Sequence, residues 1–163
     1  MRSFKYALFV LAVMMCQIGC KSGKNANLNT STNLQNVTVP GKSAGFVKMD
    51  ISRGGGVTGI WKGYTLYPSG KVEHWQEYGA TKSVLWSGKS EPQKILEFKL
   101  ALDDAGILSE NIQQYGNMTT IVKLQTADTS YVWAWHDTNG IPSSLINWHK
   151  AVTQYCRGLA PGR

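Results

Sequence analysis

The sequence predicts an α+β domain in which two helices cover one face of an antiparallel sheet of about six strands. Two observations lead to this fold class. Most of the chain from Phe46 onward consists of short segments in which apolar and polar residues alternate, which is the period of a β-strand. Two longer segments, starting near Ser90 and Pro142, repeat apolar residues every three or four positions, which is the spacing of an amphipathic helix. Strands joined by short turns favour antiparallel pairing, and two such helices can cover one sheet face.

The first three predicted strands are separated by turns rich in glycine and proline. Residues 46–51 alternate and predict a first strand, which Gly54–Gly56 interrupt. Residues 58–67 are rich in aromatic and β-branched side chains, and residues 71–78 alternate again after the turn at Pro68-Ser69-Gly70. These two strands are therefore predicted to form a β-hairpin.

The first helix is predicted to follow a short fourth strand at residues 83–87. Ser90 is the expected N-cap, Pro92 lies in the first helical turn, and Gly106 is placed to end the helix.

A second hairpin and a second helix complete the predicted domain. Residues 117–126 and 130–136 alternate on either side of a short turn. The last helix begins near Pro142 and carries one apolar stripe, formed by Leu145, Trp148, Val152 and Tyr155. The predicted order of elements is therefore β-β-β-β-α-β-β-α.

The N-terminal residues have the organisation of an export signal. Residues 1–5 are positively charged, and residues 6–16 are an unbroken apolar run that is too short for a membrane-spanning helix, which needs about 20 residues. The segment Gln17-Ile18-Gly19-Cys20 follows and resembles the lipobox of bacterial lipoprotein signals, in which a small residue precedes a cysteine. Gly19 and Cys20 match that pattern, whereas Gln17 stands where the family usually has leucine.

The resemblance implies that residues 1–19 are removed and that Cys20 becomes a lipidated N-terminus, which anchors the chain to a membrane. Lys21 is not the aspartate that retains such proteins at the inner membrane of enteric bacteria, so we expect the outer membrane, with the domain facing the periplasm. Cys16 is not a competing site, because Met15 before it is not small. The alternatives are an ordinary signal peptide and an uncleaved membrane helix.

The residues after Cys20 are predicted to form a flexible tether. Residues 21–44 are rich in Asn, Ser, Thr, Gly and Lys, and such a segment cannot bury enough apolar surface to offset its ordering entropy. A chain of this length has a root-mean-square reach of roughly 25–30 Å. The predicted organisation is an export signal at 1–19, a lipidated tether at 20–44 and one domain at 45–163.

Charge and cysteine content narrow the functional classes. The chain has 163 residues with 17 basic and 10 acidic side chains, and Arg2 and Lys5 leave with the signal. The remaining basic residues form no run, so we expect no nucleic-acid partner. Cys156 is the one cysteine left in the domain, which excludes an internal disulfide, and its apolar helical surroundings predict a buried thiol.

The segment from Arg53 to Gly59 is the first candidate binding element, with Arg53, Gly54, Gly55 and Gly56 as candidate contact residues. Consecutive glycines permit positive φ angles and close approach of another chain, although a bulged hairpin turn is the simpler interpretation. The segment resembles the start of the emfourin family of metalloprotease inhibitors. Arg53, Gly55, Gly56 and Gly59 match its pattern, whereas Val57 and Thr58 replace an aromatic residue and an alanine. The resemblance implies a non-enzymatic inhibitor of thermolysin-like proteases whose glycine loop meets the target.

Tyr131, Trp133 and Trp135 are the second candidate binding element. They project from one face of a predicted strand, and the residues between them project from the other face. Either the aromatic face packs beneath the helices, or it is exposed as a platform for a glycan, a peptide or a partner protein.

A catalytic interpretation depends on Glu73, Glu77, His74 and His136. A cell-wall or glycan hydrolase would need these side chains to converge around a water or a metal. The adjacent His136 and Asp137 are expected to point to opposite faces, and the histidines lack metal-site spacing, so we expect no metal and no cofactor. The first hypothesis is a lipid-anchored binding domain that acts on an envelope protein or a protease. A hydrolase and a structural envelope protein are the alternatives.

Overall fold

Between residues 45 and 162, the chain forms six β-strands, two α-helices and a short 3₁₀ helix. The computed structural model describes these residues, which all belong to one compact unit. The strands are β1 (Phe46–Gly55), β2 (Ile60–Leu66), β3 (Lys71–Tyr78), β4 (Thr81–Lys89), β5 (Met118–Thr126) and β6 (Ser130–Trp135). The helices are α1 (Pro92–Asp104) and α2 (Ser143–Gly158), and the 3₁₀ helix covers Ile107–Ser109. The predicted export signal, Cys20 and the tether lie outside the described residues.

The strands of this region form one antiparallel sheet in the order β4-β3-β2-β1-β5-β6. The first four strands form a meander because short turns join them. The chain then passes through α1 and returns as β5 on the free side of β1, so that Ile51 pairs with Tyr64 on β2 and with Val122 on β5. Both the predicted α+β class and the predicted order of elements are confirmed.

The hydrophobic core lies between the two helices and one face of the sheet, called here the inner face. Alternate strand residues point to the same side, so apolar rows such as Met49, Leu66 and Leu124 run across this face. The helices contribute Ile95, Phe98, Leu102, Leu145, Trp148, Val152 and Cys156. The indole Nε1 of Trp148 donates a hydrogen bond to the carbonyl oxygen of Phe98 at 2.8 Å, which ties α2 to α1.

Trp133 and Trp135 pack beneath the helices, so of the two alternatives for these residues the structure has core packing and not an exposed aromatic platform. They are only 1% and 4% exposed. The indole Nε1 of Trp133 donates to the carbonyl oxygens of Ile107 and Glu110, both at 3.2 Å, and half-buried Tyr131 stacks on its ring. The aromatic face occupies the core because an indole removes far more apolar surface from water than valine or alanine does.

Several element boundaries differ from the sequence prediction, such as those of β4, which is two residues longer at each end, and two of the differences have a clear structural cause. β1 runs on through Gly54 and Gly55, whose backbones continue to pair with β2. α1 begins after Glu91 rather than after Ser90, because the Ser90 hydroxyl instead contacts the Tyr155 hydroxyl at 2.6 Å and the Glu91 carbonyl oxygen at 3.1 Å. Neither helix in the described part of the chain is long and apolar enough to cross a membrane.

Candidate functional site

A groove of about 600 Å³ opens beside α2, over the end of the sheet where β1 turns into β2. Inner-face side chains of β1, β2 and β3 form one side of it, and one flank of α2 forms the other. The volume is in the range of small-molecule pockets. Its lining residues are Ile51, Ser52, Arg53, Thr58, Ile60, Lys62, Gly63, Tyr64, His74, Met118, His149, Thr153 and Arg157.

Helix α2 carries two adjacent stripes of side chains. One is the apolar stripe that packs on the core. The other consists of His149, Thr153 and Arg157, which are four residues apart and therefore lie in line along one flank of the helix. All three line the groove, so the same helix supplies both the core and the site.

The sheet supplies a second set of basic groups. Arg53 on β1 lies directly opposite Lys62 on β2, and both side chains line the groove. Residues paired in this way have Cβ atoms about 5 Å apart, and like charges in this arrangement are destabilising. The same row continues to Thr120 on β5 and Gln76 on β3, so no carboxylate next to the pair neutralises it.

The groove is basic because the acidic residues of the chain lie elsewhere. All 10 of them fall within the described part of the chain, and none lines the groove. They are Asp50, Glu73 and Glu77 on the outer face of the sheet, and Glu91, Glu97, Asp103, Asp104, Glu110, Asp128 and Asp137 in or near α1 and in the connections. Within residues 45–162, Arg53, Lys62 and Arg157 form no ion pair.

His149 brings a neutral ring to this basic site. It packs edge-on against Trp135, with the ring centroids 5.5 Å apart. Burial, followed by repulsion from Arg53 and Arg157, lowers the pKa of His149 to about 4. The imidazole is therefore uncharged at neutral pH and offers one N–H donor and one nitrogen acceptor.

His74 also lines the groove, and it lies between two aromatic side chains of the neighbouring strands. It stacks on Tyr64 with the ring centroids 4.9 Å apart, and it lies 5.5 Å from Trp86. Burial, followed by Lys62, lowers the pKa of His74. Its Nδ1 atom and the Thr153 hydroxyl are buried without a hydrogen-bond partner in the described structure. Buried polar atoms normally have a hydrogen-bond partner. A molecule bound in the groove could supply the missing partner for these two atoms.

The three glycines that follow Arg53 have two different structural roles. Gly55 and Gly56 have φ angles of 103° and 70°, which glycine adopts more readily than any other residue. The backbone of Gly54 is not left-handed, but the indole of Trp61 lies across it, and a Cβ there would sit 2.5 Å from the ring. Val57, at the tip of the turn, is fully exposed at 104%.

The structure places the candidate residues from the sequence at two locations. Arg53 lines the groove, and Gly54–Gly56 lie in the segment that joins it to another lining residue, Thr58. The buried Trp133 and Trp135, with their neighbour Tyr131, do not line the groove.

The residues that β2 and α2 contribute to the groove were not predicted from the sequence. Lys62, His149 and Arg157 were not candidates, although the four-residue spacing of His149, Thr153 and Arg157 beside an apolar stripe was a readable signal. The spacing alone does not predict that this flank of the helix lies across the groove from Lys62 and Arg53.

The four residues of the hydrolase hypothesis do not converge. Glu73 and Glu77 lie on the outer face of β3, His74 lies on its inner face, and His136 follows β6 at the opposite edge of the sheet. His136 Nδ1 is 3.4 Å from a carboxylate oxygen of Asp137, so the expectation that these two point apart is wrong. Strand alternation does not apply to them because β6 ends before His136. Among residues 45–162, no group of three or more His, Cys, Asp or Glu side chains could hold a metal ion.

No protein-family model matches the chain, and no curated protein is significantly similar to it. The resemblances to lipoprotein signals and to emfourins therefore remain predictions from the sequence.

Proposed function

We propose that this chain is a lipid-anchored binding protein of the bacterial envelope, whose domain holds an organic anion in the groove and catalyses no reaction. One observation carries the proposal. Arg53, Lys62 and Arg157 come from β1, β2 and α2, yet they surround a single cavity to which no acidic residue of the chain contributes.

The electrostatics of the groove favour an anion. An oxyanion beside Arg53 and Lys62 would replace a repulsive cross-strand pair with two attractive contacts. The guanidinium groups of Arg53 and Arg157 can each donate paired hydrogen bonds to carboxylate, sulfonate or phosphate oxygens. The neutral ring of His149 adds a hydrogen-bonding group without further positive charge.

The other lining residues favour an organic anion over a simple inorganic one. Ile60, Tyr64 and Met118, which are all partly exposed, present apolar surface to the groove. A ligand with an apolar or aromatic body would remove this surface from water and gain about 25 cal/mol for each Å² buried.

The test uses the probe 8-anilinonaphthalene-1-sulfonate, an aromatic sulfonate that binds exposed apolar surface. The protein is the mature chain, residues 20–163, with Cys20→Ser. We expect saturable binding that Lys62→Glu weakens by at least about tenfold, because an anion would then face a carboxylate.

Lys89→Glu is the matched control for this experiment. Lys89 is also an exposed strand lysine that lies opposite a basic residue, Lys71, but it is on the outer face of the sheet at the end of β4. Its replacement changes the net charge by the same amount and should leave probe binding unchanged. Equal losses in both variants would contradict a site in the groove. No saturable binding at all would favour a structural envelope protein.

A protease inhibitor is the second candidate function, and the exposure of Val57 favours it. The turn that carries Val57 is held to the residue just before β5, since the backbone N–H of Gly56 donates to the carbonyl oxygen of Asn117 at 2.5 Å. A rigid turn with an apolar tip can enter a protease subsite. The mature chain should then slow a thermolysin-like protease at micromolar concentration, and Val57→Asp should abolish the effect. Full protease activity across a panel of such enzymes would contradict this function.

A further inference from the structure

We propose that the anion held by the groove is the phosphate-bearing headgroup of an anionic phospholipid bilayer, and that the turn between β1 and β2 enters the bilayer interface beside it. This inference rests on the proposed function, because it takes the groove as an anion site and names the source of the anion. The occupant is a membrane surface rather than a free metabolite.

The first observation is an apolar tip at the mouth of the groove. Val57 is 104% exposed and Met118 is 42% exposed. Met118 packs against the turn, since a Cβ on Gly56 would lie 3.3 Å from the Met118 sulfur. Met118 and Thr58, the residue after Val57, both line the groove. Two exposed apolar side chains therefore stand next to the basic groups at the same end of the domain.

The turn holds Val57 outward, away from the interior of the groove. Gly55, Gly56 and Gly59 all have positive φ angles, and the Gly59 N–H donates to the carbonyl oxygen of Gly56 at 3.2 Å. A small soluble anion inside the groove would leave Val57 in water. A bilayer surface would bury Val57 in the interface and present a phosphate to the groove at the same time, so it accounts for both features.

The distribution of charge fits the same occupant. Arg53, Lys62 and Arg157 are exposed at the groove and form no ion pair within residues 45–162. The carboxylates of the sheet lie on its outer face, where two of them are paired with lysines. An anionic bilayer attracts each basic side chain near its surface strongly enough to change affinity about fivefold. The acidic residues of the sheet would face away from the lipid in this orientation.

The length of the chain before the domain permits this orientation. β1 starts at Phe46 and reaches the turn after ten residues, a distance of about 30 Å. Residues 21–44 can span up to about 80 Å when extended. An anchor at Cys20 therefore does not prevent the far end of β1 from meeting the membrane that holds the lipid.

The experiment is co-sedimentation of the mature Cys20→Ser chain with vesicles. We expect binding to mixed phosphatidylcholine–phosphatidylglycerol vesicles and little binding to phosphatidylcholine alone. Lys62→Gln should weaken binding about fivefold, and Val57→Asp should weaken it further than that. The matched controls are Lys123→Gln and Val84→Asp, which change exposed residues of the same types on β5 and β4, away from the groove. Both controls should bind as the parent chain does.

A second variant reports on the tip directly. Val57→Trp should show blue-shifted fluorescence and shielding from an aqueous quencher when phosphatidylglycerol vesicles are added, relative to the parent chain. Soluble glycerol phosphate, which has the same phosphate chemistry without a bilayer, should compete only weakly with the vesicles.

The outcomes separate this inference from the proposed function. Probe binding that depends on Lys62 without any vesicle binding would overturn the membrane source and leave the anion site intact. Vesicle binding that is insensitive to both Lys62→Gln and Val57→Asp would overturn the docking geometry. If the parent chain binds neither vesicles nor the sulfonate probe, the proposed function itself would be overturned.

Discussion

His149 is the residue whose chemistry the groove alters most, and it makes the stability of the domain depend on pH. Burial, Arg53 and Arg157 lower the pKa of His149 to about 4, whereas the same ring has a pKa of about 6.5 in an unfolded chain. Between these values the unfolded state binds a proton that the folded state does not bind. The free energy of unfolding should therefore fall as the pH drops from 6.5 to 4, by on the order of 3 kcal/mol.

The measurement is urea unfolding of the mature Cys20→Ser chain at several pH values, compared with the same chain carrying His149→Gln. The variant should lose less stability over this pH range, while Glu73, whose pKa is lowered chiefly by its hydrogen bond with Lys71, affects both proteins alike. His74, whose pKa burial and Lys62 also lower, adds a smaller dependence of the same sign that both proteins share. Identical pH dependence in the two proteins would contradict a neutral buried His149.

Cys156 is the second residue with altered chemistry. It is fully buried on α2, and burial raises the pKa of its thiol to about 12. The thiolate is the reactive form, so the native thiol should resist a disulfide reagent such as 5,5′-dithiobis(2-nitrobenzoic acid). In the mature Cys20→Ser chain, labelling should be slower in buffer than in denaturant by at least about a thousandfold, because it requires unfolding. Stoichiometric labelling within minutes under native conditions would show that α2 opens readily.

At the scale of the elements, the contact between β1 and β2 depends on a glycine that no local sequence signal marks. Gly63 lies in the middle of β2, and the indole of Trp75 on β3 covers it from the outer face. A Cβ at Gly63 would lie 2.8 Å from both the Trp75 ring and the Ser52 Cβ, and it would clash with the Ile51 carbonyl oxygen. Gly63→Ala should therefore destabilise the domain by about 2–3 kcal/mol, measured by thermal or urea unfolding.

Gly158→Ala provides the comparison for that substitution. Gly158 is the last residue of α2, its φ angle is not positive, and no atom lies within 4 Å of a Cβ built there. The same change of one methyl group should stabilise the domain by up to about 1 kcal/mol, because alanine favours the helix. A similar loss of stability in both variants would argue against close packing at Gly63.

The elements were predictable from the sequence wherever local signals decide the structure. Strand alternation, the turn at Pro68-Ser69-Gly70 and the glycine at position 106 are local, and the structure has each of them in place. Ser90 does not cap α1, because Tyr155, distant in sequence, engages its hydroxyl. Which face of β6 is buried also depends on long-range packing, which alternation alone does not determine.

The candidate site was less predictable than the fold because it is assembled across elements. Arg53 could be proposed from its glycine-rich neighbours. Lys62 and Arg157 could not be proposed in the same way. Strand register brings Lys62 opposite Arg53, and the position of α2 over the sheet brings Arg157 to the same groove. In the sequence, each of them is an ordinary exposed basic residue.

At the scale of the whole molecule, the groove carries basic groups alone, whereas the outer face of the sheet carries charges of both signs. Asp50 and Glu73 on that face form ion pairs with Lys48 and Lys71. The uncompensated positive charge at the groove gives the domain a preferred orientation toward an anionic surface and speeds encounter with it. A tether at one end of β1 and a basic groove at the other would then hold the domain to a membrane by two independent contacts.

Replacing Cys20 with Ser distinguishes these two contacts in cells. We expect palmitate labelling to disappear, and the variant to leave the membrane fraction at high salt, where the parent chain stays. An acyl anchor resists salt because each buried methylene contributes about 0.8 kcal/mol, whereas the groove acts through charges that 1 M salt screens beyond about 3 Å. At low salt, a fraction of the variant should remain bound through the groove, and Lys62→Gln should release it.

Cys16→Ser is the control, since this cysteine lies in the predicted export signal and its loss should leave labelling unchanged. Labelling or salt-resistant binding of the Cys20→Ser chain would contradict lipidation at that residue.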